Sequence, residues 1–204
     1  MLAPLIRLVT GVQGRWIGVD PVDPDGEPIQ RIYYANHASH LDAPVIWAAL
    51  PTHVRARVRP VAAREYWTAD ALRRHVSQQW LRAVLVDRVK VPGAPPPITP
   101  LAAALADGDS LILFPEGTRN LDPDAGLLAF KSGLFHLGRQ FPAVQIVPVY
   151  LANLSRILPK GEFTPVPLIA RATFGAPIPL QPDDEKDAWL ARARAALAAL
   201  GEER

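Results

Sequence analysis

A chain of 204 residues, 49% apolar and 21% charged, is long enough for one domain with a sizeable core and too apolar to stay disordered. Its 22 basic and 20 acidic residues give a formal net charge of +2, so overall charge does not mark a nucleic-acid binder. There is no cysteine, which excludes disulfides, thiolate metal sites and a cysteine nucleophile.

Residues 2–13 read as a short, largely apolar helix, with Leu2, Leu5, Ile6, Leu8, Val9 and Val12 interrupted by Arg7. Arg7 breaks what would be a signal-peptide core. The segment falls short of the ~20 apolar residues that cross a bilayer. Residues 1–14 are therefore expected to form an interfacial helix, with Arg7 reaching lipid head groups and Trp16 at the interface. The alternative is a helix packed onto the domain's own core.

Residues 15–19 read as a strand, 21–28 as a turn region and 31–35 as a buried strand. A helix over 43–50, stopped by Pro51, follows the segment Asn36-His37-Ala38-Ser39-His40-Leu41-Asp42. The next elements are a strand at 58–62, a helix at 70–80 and a strand at 84–87. Residues 92–97 form a stiff proline-rich loop, and 99–106 a helix ending at Gly108. Residues 110–114 make a buried strand closed by Pro115 and Gly117. A helix at 131–140, strands at 144–151 and 169–174 and an alanine-rich helix at 184–200 complete the chain. This alternation predicts a single α/β domain, with a central, mainly parallel or mixed sheet flanked by helices. In such folds the working residues gather in loops at strand ends, here 36–42 and 115–120. Basic residues crowd one stretch: Arg55, Arg57, Arg59, Arg64, Arg73, Arg74, Arg82, Arg88 and Lys90, against Glu65, Asp70 and Asp87. They read either as a solvated surface or as a face drawn to anionic lipid or an acidic carrier.

His37 and Asp42 are the first chemical candidates. An imidazole accepts a proton near neutral pH, and a carboxylate on its other nitrogen fixes the tautomer and stabilises the imidazolium. Five positions apart, the two cannot share one face of a continuous helix, so a loop or helix start must lie between them. Pro44 suits the first turn of such a helix. Asp42 could equally be a helix cap, and Ser39 and Asp42 have the spacing of a capping box. His37, His40 and Asp42 could ligate a metal, but no carboxylate cluster elsewhere completes the site. Ser39 could be a nucleophile, but it is not in a Gly-x-Ser-x-Gly elbow.

Phe114-Pro115-Glu116-Gly117-Thr118-Arg119 is the second candidate. Glycine permits a sharp turn or a close backbone approach, and arginine offers paired donors for phosphate. Glu116 could hold Arg119 or receive backbone amides. An ordinary loop with a surface ion pair is the alternative.

Together, Asn36–Asp42 and Phe114–Arg119 resemble two blocks of the glycerolipid acyltransferase family, which contains the 1-acylglycerol-3-phosphate acyltransferases. Val84–Arg88, Phe130-Lys131-Ser132-Gly133 and Val147–Val149 resemble further segments of it, and the resemblance covers roughly residues 30–160. It implies an O-acyltransferase domain over residues 15–204, with His37 as general base and Asp42 as its partner. Arg119 becomes the ligand of the acceptor's phosphate, supported by Glu116, Gly117 and Thr118. Arg88 and Lys131 become secondary candidates for phosphate or donor contacts. The implied reaction moves a fatty acyl group from acyl-carrier protein or acyl-CoA to 1-acylglycerol-3-phosphate, giving phosphatidate. Glycerol 3-phosphate or another lysolipid is the alternative acceptor; a lipid hydrolase and a non-catalytic lipid-binding module are the competing classes. No metal or cofactor beyond the thioester co-substrate is implied. The expected location is peripheral, at the cytoplasmic face of a membrane.

Overall fold

The structure, a computed structural model, describes residues 2–87, 96–122, 126–152 and 170–202. Its framework is a seven-stranded sheet. The strands are β1 (Gln13–Trp16), β2 (Arg31–Ala35), β3 (Val58–Ala63), β4 (Val84–Val86), β5 (Ser110–Leu113), β6 (Gln145–Ala152) and β7 (Arg171–Phe174), in the order β1-β7-β6-β2-β5-β3-β4. Each neighbouring pair is parallel except β6 and β7, which are antiparallel.

The central strand β2 explains the layering. All five of its residues are buried, as expected for a strand covered on both faces. Successive side chains point to opposite faces. Tyr33 and Ala35 join one core cluster with Val45, Ile46, Ile112 and Val149. Ile32 and Tyr34 join another with Leu105, Leu111, Leu137 and Trp189. Helices α1 (Leu2–Thr10) and α2 (Asp42–Ala49) contribute to the first cluster. Helices α6 (Thr99–Ala106), α7 (Gly133–Gln140) and α8 (Lys186–Glu202) contribute to the second. The polar handles of its aromatic residues are satisfied: Tyr34 donates to Ala193 O at 2.9 Å and the Trp189 indole to Pro179 O at 2.9 Å.

The expected α/β architecture is present, with local differences. The first strand runs over Gln13–Trp16 rather than 15–19, because its partner β7 pairs with it from Gln13 to Trp16. The helix expected at 70–80 splits into α5 (Ala71–His75) and a π-helical turn (Val76–Trp80). Two short helices, α3 (Thr52–Arg55) and α4 (Arg64–Trp67), flank β3 and were not foreseen. The helix expected from 131 starts at Gly133, since the Lys131 amide donates to Pro115 O at 2.8 Å. Most of the proline-rich loop, and position 169 of the last strand, lie outside the described residues.

Helix α1 divides its circumference. Ala3, Ile6 and Thr10 turn toward the core, whereas Leu5, Leu8 and Val9 are exposed. Arg7 does not point to solvent as expected. Its Nε donates to Ala48 O at 2.6 Å and an Nη to Leu50 O at 3.1 Å, fastening α1 to the carboxyl end of α2. The reason is local: the last carbonyls of a helix lack partners within it, and a cation suits that end of the dipole. Among the described residues no helix is long and apolar enough to cross a membrane.

Candidate active site

Strands β2 and β5 are parallel neighbours, with Tyr34 opposite Leu113. The segments that follow them therefore leave the sheet at the same edge. That register brings the segment beginning at Asn36 against the segment beginning at Phe114. Asn36 seals the edge on the other side. Its amide donates to Leu151 O at 3.0 Å and accepts from Leu151 N at 2.8 Å, extending the β2–β6 pairing by one side chain.

His37 and Asp42 meet. Asp42 Oδ2 lies 2.8 Å from His37 Nδ1 and also accepts the backbone amides of Ala38 at 2.7 Å and Ser39 at 2.8 Å. Asp42 is the first residue of α2 and is 1% exposed. The capping reading does not hold: a cap accepts amides that follow it in the helix, whereas this carboxylate accepts amides that precede it. The capping-box reading fails too, because Ser39 Oγ accepts the Leu41 amide at 3.2 Å instead. Asp42 Oδ1 is buried without a partner among the described residues, a cost of about 1–3 kcal/mol that a solvent-facing cap would avoid.

The imidazole is held on a second side by Phe114, whose ring stacks on it at 4.2 Å and 20°. Its Nε2 forms no hydrogen bond with the described residues, and the side chain keeps 12% exposure. A base oriented through Nδ1 with Nε2 open can take a proton from a hydroxyl brought to that edge.

Glu116 is buried and spends neither oxygen on Arg119. Oε1 accepts the His37 amide at 3.0 Å and Oε2 the Leu128 amide at 2.9 Å. The Asn120 amide returns to His37 O at 2.7 Å. Glu116 thus ties the two segments together, by the backbone amides that were the alternative to holding Arg119. Gly117 has φ +69°, and a Cβ there would come within 2.5 Å of Lys131 Nζ. Glycine therefore admits both the turn and the lysine, which packs against this loop. Thr118 is exposed and Arg119 half-buried. No hydrogen bond or ion pair joins Arg119 to another described residue. Its charge does bear on His40, whose pKa is pushed down to about 4. Desolvation is the main cause; Arg119, His37 and Arg73 add repulsion, and Asp42 opposes them. One face of the His40 ring is covered by Tyr66, stacked at 4.0 Å and 4°.

Residues 25–152 match the sequence model of the acyltransferase family. The chain belongs to the acyltransferase family. It is 30% identical over 168 residues to a 1-acyl-sn-glycerol-3-phosphate acyltransferase of Limnanthes alba, covering 76% of this chain and 54% of that one. A relative of the same description from Chlamydomonas reinhardtii is 25% identical over 146 residues, covering 72% of this chain and 40% of its own length. The chain thus spans about half the length of the curated relatives it matches. The crystal structure of the 1-acyl-sn-glycerophosphate (LPA) acyltransferase PlsC from Thermotoga maritima shares the fold. Its TM-score is 0.71 at 20% identity, over 99% of this chain and 79% of that one.

Within this acyltransferase domain, the structure brings His37, Asp42, Glu116, Gly117 and Lys131 together and places Arg119 within electrostatic reach of His40. Arg88 and Lys90 lie outside the described residues. Among the described residues no group of three or more His, Cys, Asp or Glu is placed to hold a metal ion. The arginine-rich stretch is not one free patch. Arg59 and Arg82 pair with Asp109, Arg64 with Asp87 and Arg73 with Asp70, while Arg55, Arg57 and Arg74 donate to backbone carbonyls. The bridging role of Asn36 was missed; its position directly after a fully buried strand is the signal that points to it.

Proposed function

We propose that the protein transfers a fatty acyl group from an acyl thioester to the hydroxyl of 1-acylglycerol-3-phosphate. The observation that carries this reading is the 2.8 Å contact between His37 Nδ1 and Asp42 Oδ2, with Nε2 open. His37 Nε2 takes the hydroxyl proton as the oxygen attacks the thioester carbonyl. Asp42 stabilises the resulting imidazolium. The carbon–sulfur bond then breaks, the proton passes to the departing thiol, and a carboxylic ester remains. No covalent acyl-enzyme is needed, which accords with a chain without cysteine.

Arg119 binds the acceptor's phosphate, so that the reacting atoms meet in a productive pose. Its charge lacks a carboxylate partner among the described residues, which supports this role. Lys131, drawn to the same loop by Gly117, adds a second positive charge. Acyl-carrier protein or coenzyme A carries the acyl group, and no other cofactor takes part.

The reading places the enzyme peripherally at the cytoplasmic face of a membrane. The exposed Leu5, Leu8 and Val9 of α1 support such contact, because they form an exposed apolar strip at i, i+3, i+4 spacing. The test is to incubate the protein with acyl thioester, with and without lysophosphatidate, and to follow thiol release and lipid product. Acceptor-dependent release with phosphatidate formed is expected. Acceptor-independent release would make it a hydrolase, and no release a binding module.

A further inference from the structure

His40 lies in the same segment as His37, and its ring is held from outside that segment. Tyr66 belongs to α4, which begins where β3 ends. Because β3 runs parallel beside β5, α4 emerges at the sheet edge that carries His37 and Glu116. One face of the Tyr66 ring carries the parallel imidazole of His40 at 4.0 Å. The Arg73 guanidinium also lies over the Tyr66 ring, 4.4 Å from its centroid. Arg73 is in turn tied to Asp70 at 3.1 Å, and Trp67 packs edge-on against Tyr66 at 5.5 Å and 85°. The loop carrying His40, α4 and α5 thus meet at the Tyr66 ring.

The ring fixed in this way forms no hydrogen bond with the described residues. It stands where the charges of His37, Asp42 and Arg119 all reach it. The acceptor must place its hydroxyl at His37 and its phosphate at Arg119, so its glycerol backbone passes between those groups. We propose that His40 is a substrate-binding residue that hydrogen-bonds the glycerol-phosphate portion of the acceptor, with Tyr66 as the positioning residue that holds its ring. The inference rests on the phosphate-bearing acceptor of the proposed function. A neutral imidazole keeps one N–H donor, which suits a phosphate oxygen. The surroundings that keep His40 neutral also make it a poor base, which leaves proton removal to His37.

Steady-state kinetics of the full chain test this, with an acyl thioester as donor and lysophosphatidate or monoacylglycerol as acceptor. His40→Phe keeps a flat ring on Tyr66 and removes both nitrogens. It is expected to raise the KM for lysophosphatidate about tenfold, the scale of one hydrogen bond to a charged group, while kcat and the donor KM change little. Tyr66→Ala should raise the same KM, and Tyr66→Phe, which restores the ring, should recover the wild-type value. With monoacylglycerol the His40→Phe effect should shrink. An unchanged lysophosphatidate KM in His40→Phe or Tyr66→Ala overturns the inference. A Tyr66→Phe variant as impaired as Tyr66→Ala overturns the stacking role. Wild-type protein without preference for lysophosphatidate over monoacylglycerol would instead remove the acceptor assignment beneath it. A second measurement needs no variant: the His40 ring resonances should shift saturably with glycerol 3-phosphate, and resonances that do not move contradict the contact.

Discussion

Glu116 Oε1 accepts the backbone amide of His37 at 3.0 Å, while its other oxygen accepts the amide of Leu128. One buried carboxylate therefore fixes the segment carrying His37 to the segment carrying Arg119. Glu116→Gln would turn an NH2 group toward one of these amides and leave a buried donor unpaired. The expected stability loss is about 1–3 kcal/mol, read from denaturant unfolding. In the folded enzyme kcat should fall, because His37 loses its position. A rise in acceptor KM alone would show instead that Glu116 touches the substrate.

Arg119 differs from Glu116 in having no bonded partner among the described residues. Arg119→Lys keeps the charge and loses the planar paired donors. The acceptor KM should rise, the donor KM should stay within error, and the thermal midpoint should not move. A lowered midpoint with unchanged kinetics in the folded fraction would make Arg119 a structural residue.

These two residues show where sequence reading reaches and where it stops. Strands β2 and β5 were legible because each is a short apolar run closed by turn residues, whereas the spacing of His37 and Asp42 left a helix cap open and the family resemblance implied their pairing. The partner of Glu116 was not legible. It depends on the register that sets Tyr34 opposite Leu113, a contact between segments far apart in sequence. Helices α3 and α4 are four residues each, too short for a periodic pattern. The stack of His40 on Tyr66 hangs on α4 and was hidden with it. Arg7 looked free because the carbonyls it satisfies, of Ala48 and Leu50, belong to another helix end.

His40 offers a pH test. Its pKa is lowered to about 4, from an ordinary value of 6.5. The folded state therefore binds this proton less readily than the unfolded chain. The contribution of neutral His40 to stability is full above about pH 6.5 and declines as pH falls from there toward 4. Imidazole resonances should show His40 titrating near the lower value. Titration near 6.5 would mean that burial and the charges of Arg119 and Arg73 do not act on the ring as described.

Leu8 is 82% exposed on the outer face of α1, next to Leu5 and Val9. Replacing it with aspartate removes no buried contact, so unfolding should change by less than about 0.5 kcal/mol. Sedimentation with anionic vesicles should weaken, and so should activity on vesicle-borne acceptor. Activity on a short-chain, soluble acceptor should persist. Vesicle binding equal to the wild type would rule out this face as the contact.

The most direct measurement is acceptor-dependent thiol release from an acyl thioester by folded His37→Ala and Asp42→Asn proteins. General-base catalysis contributes about 10²–10⁴-fold, so His37→Ala should lose activity on that scale with its fold intact. Asp42→Asn should also be strongly impaired, because it removes the negative charge that stabilises the imidazolium. Wild-type turnover by a folded His37→Ala protein in the presence of lysophosphatidate would contradict the account.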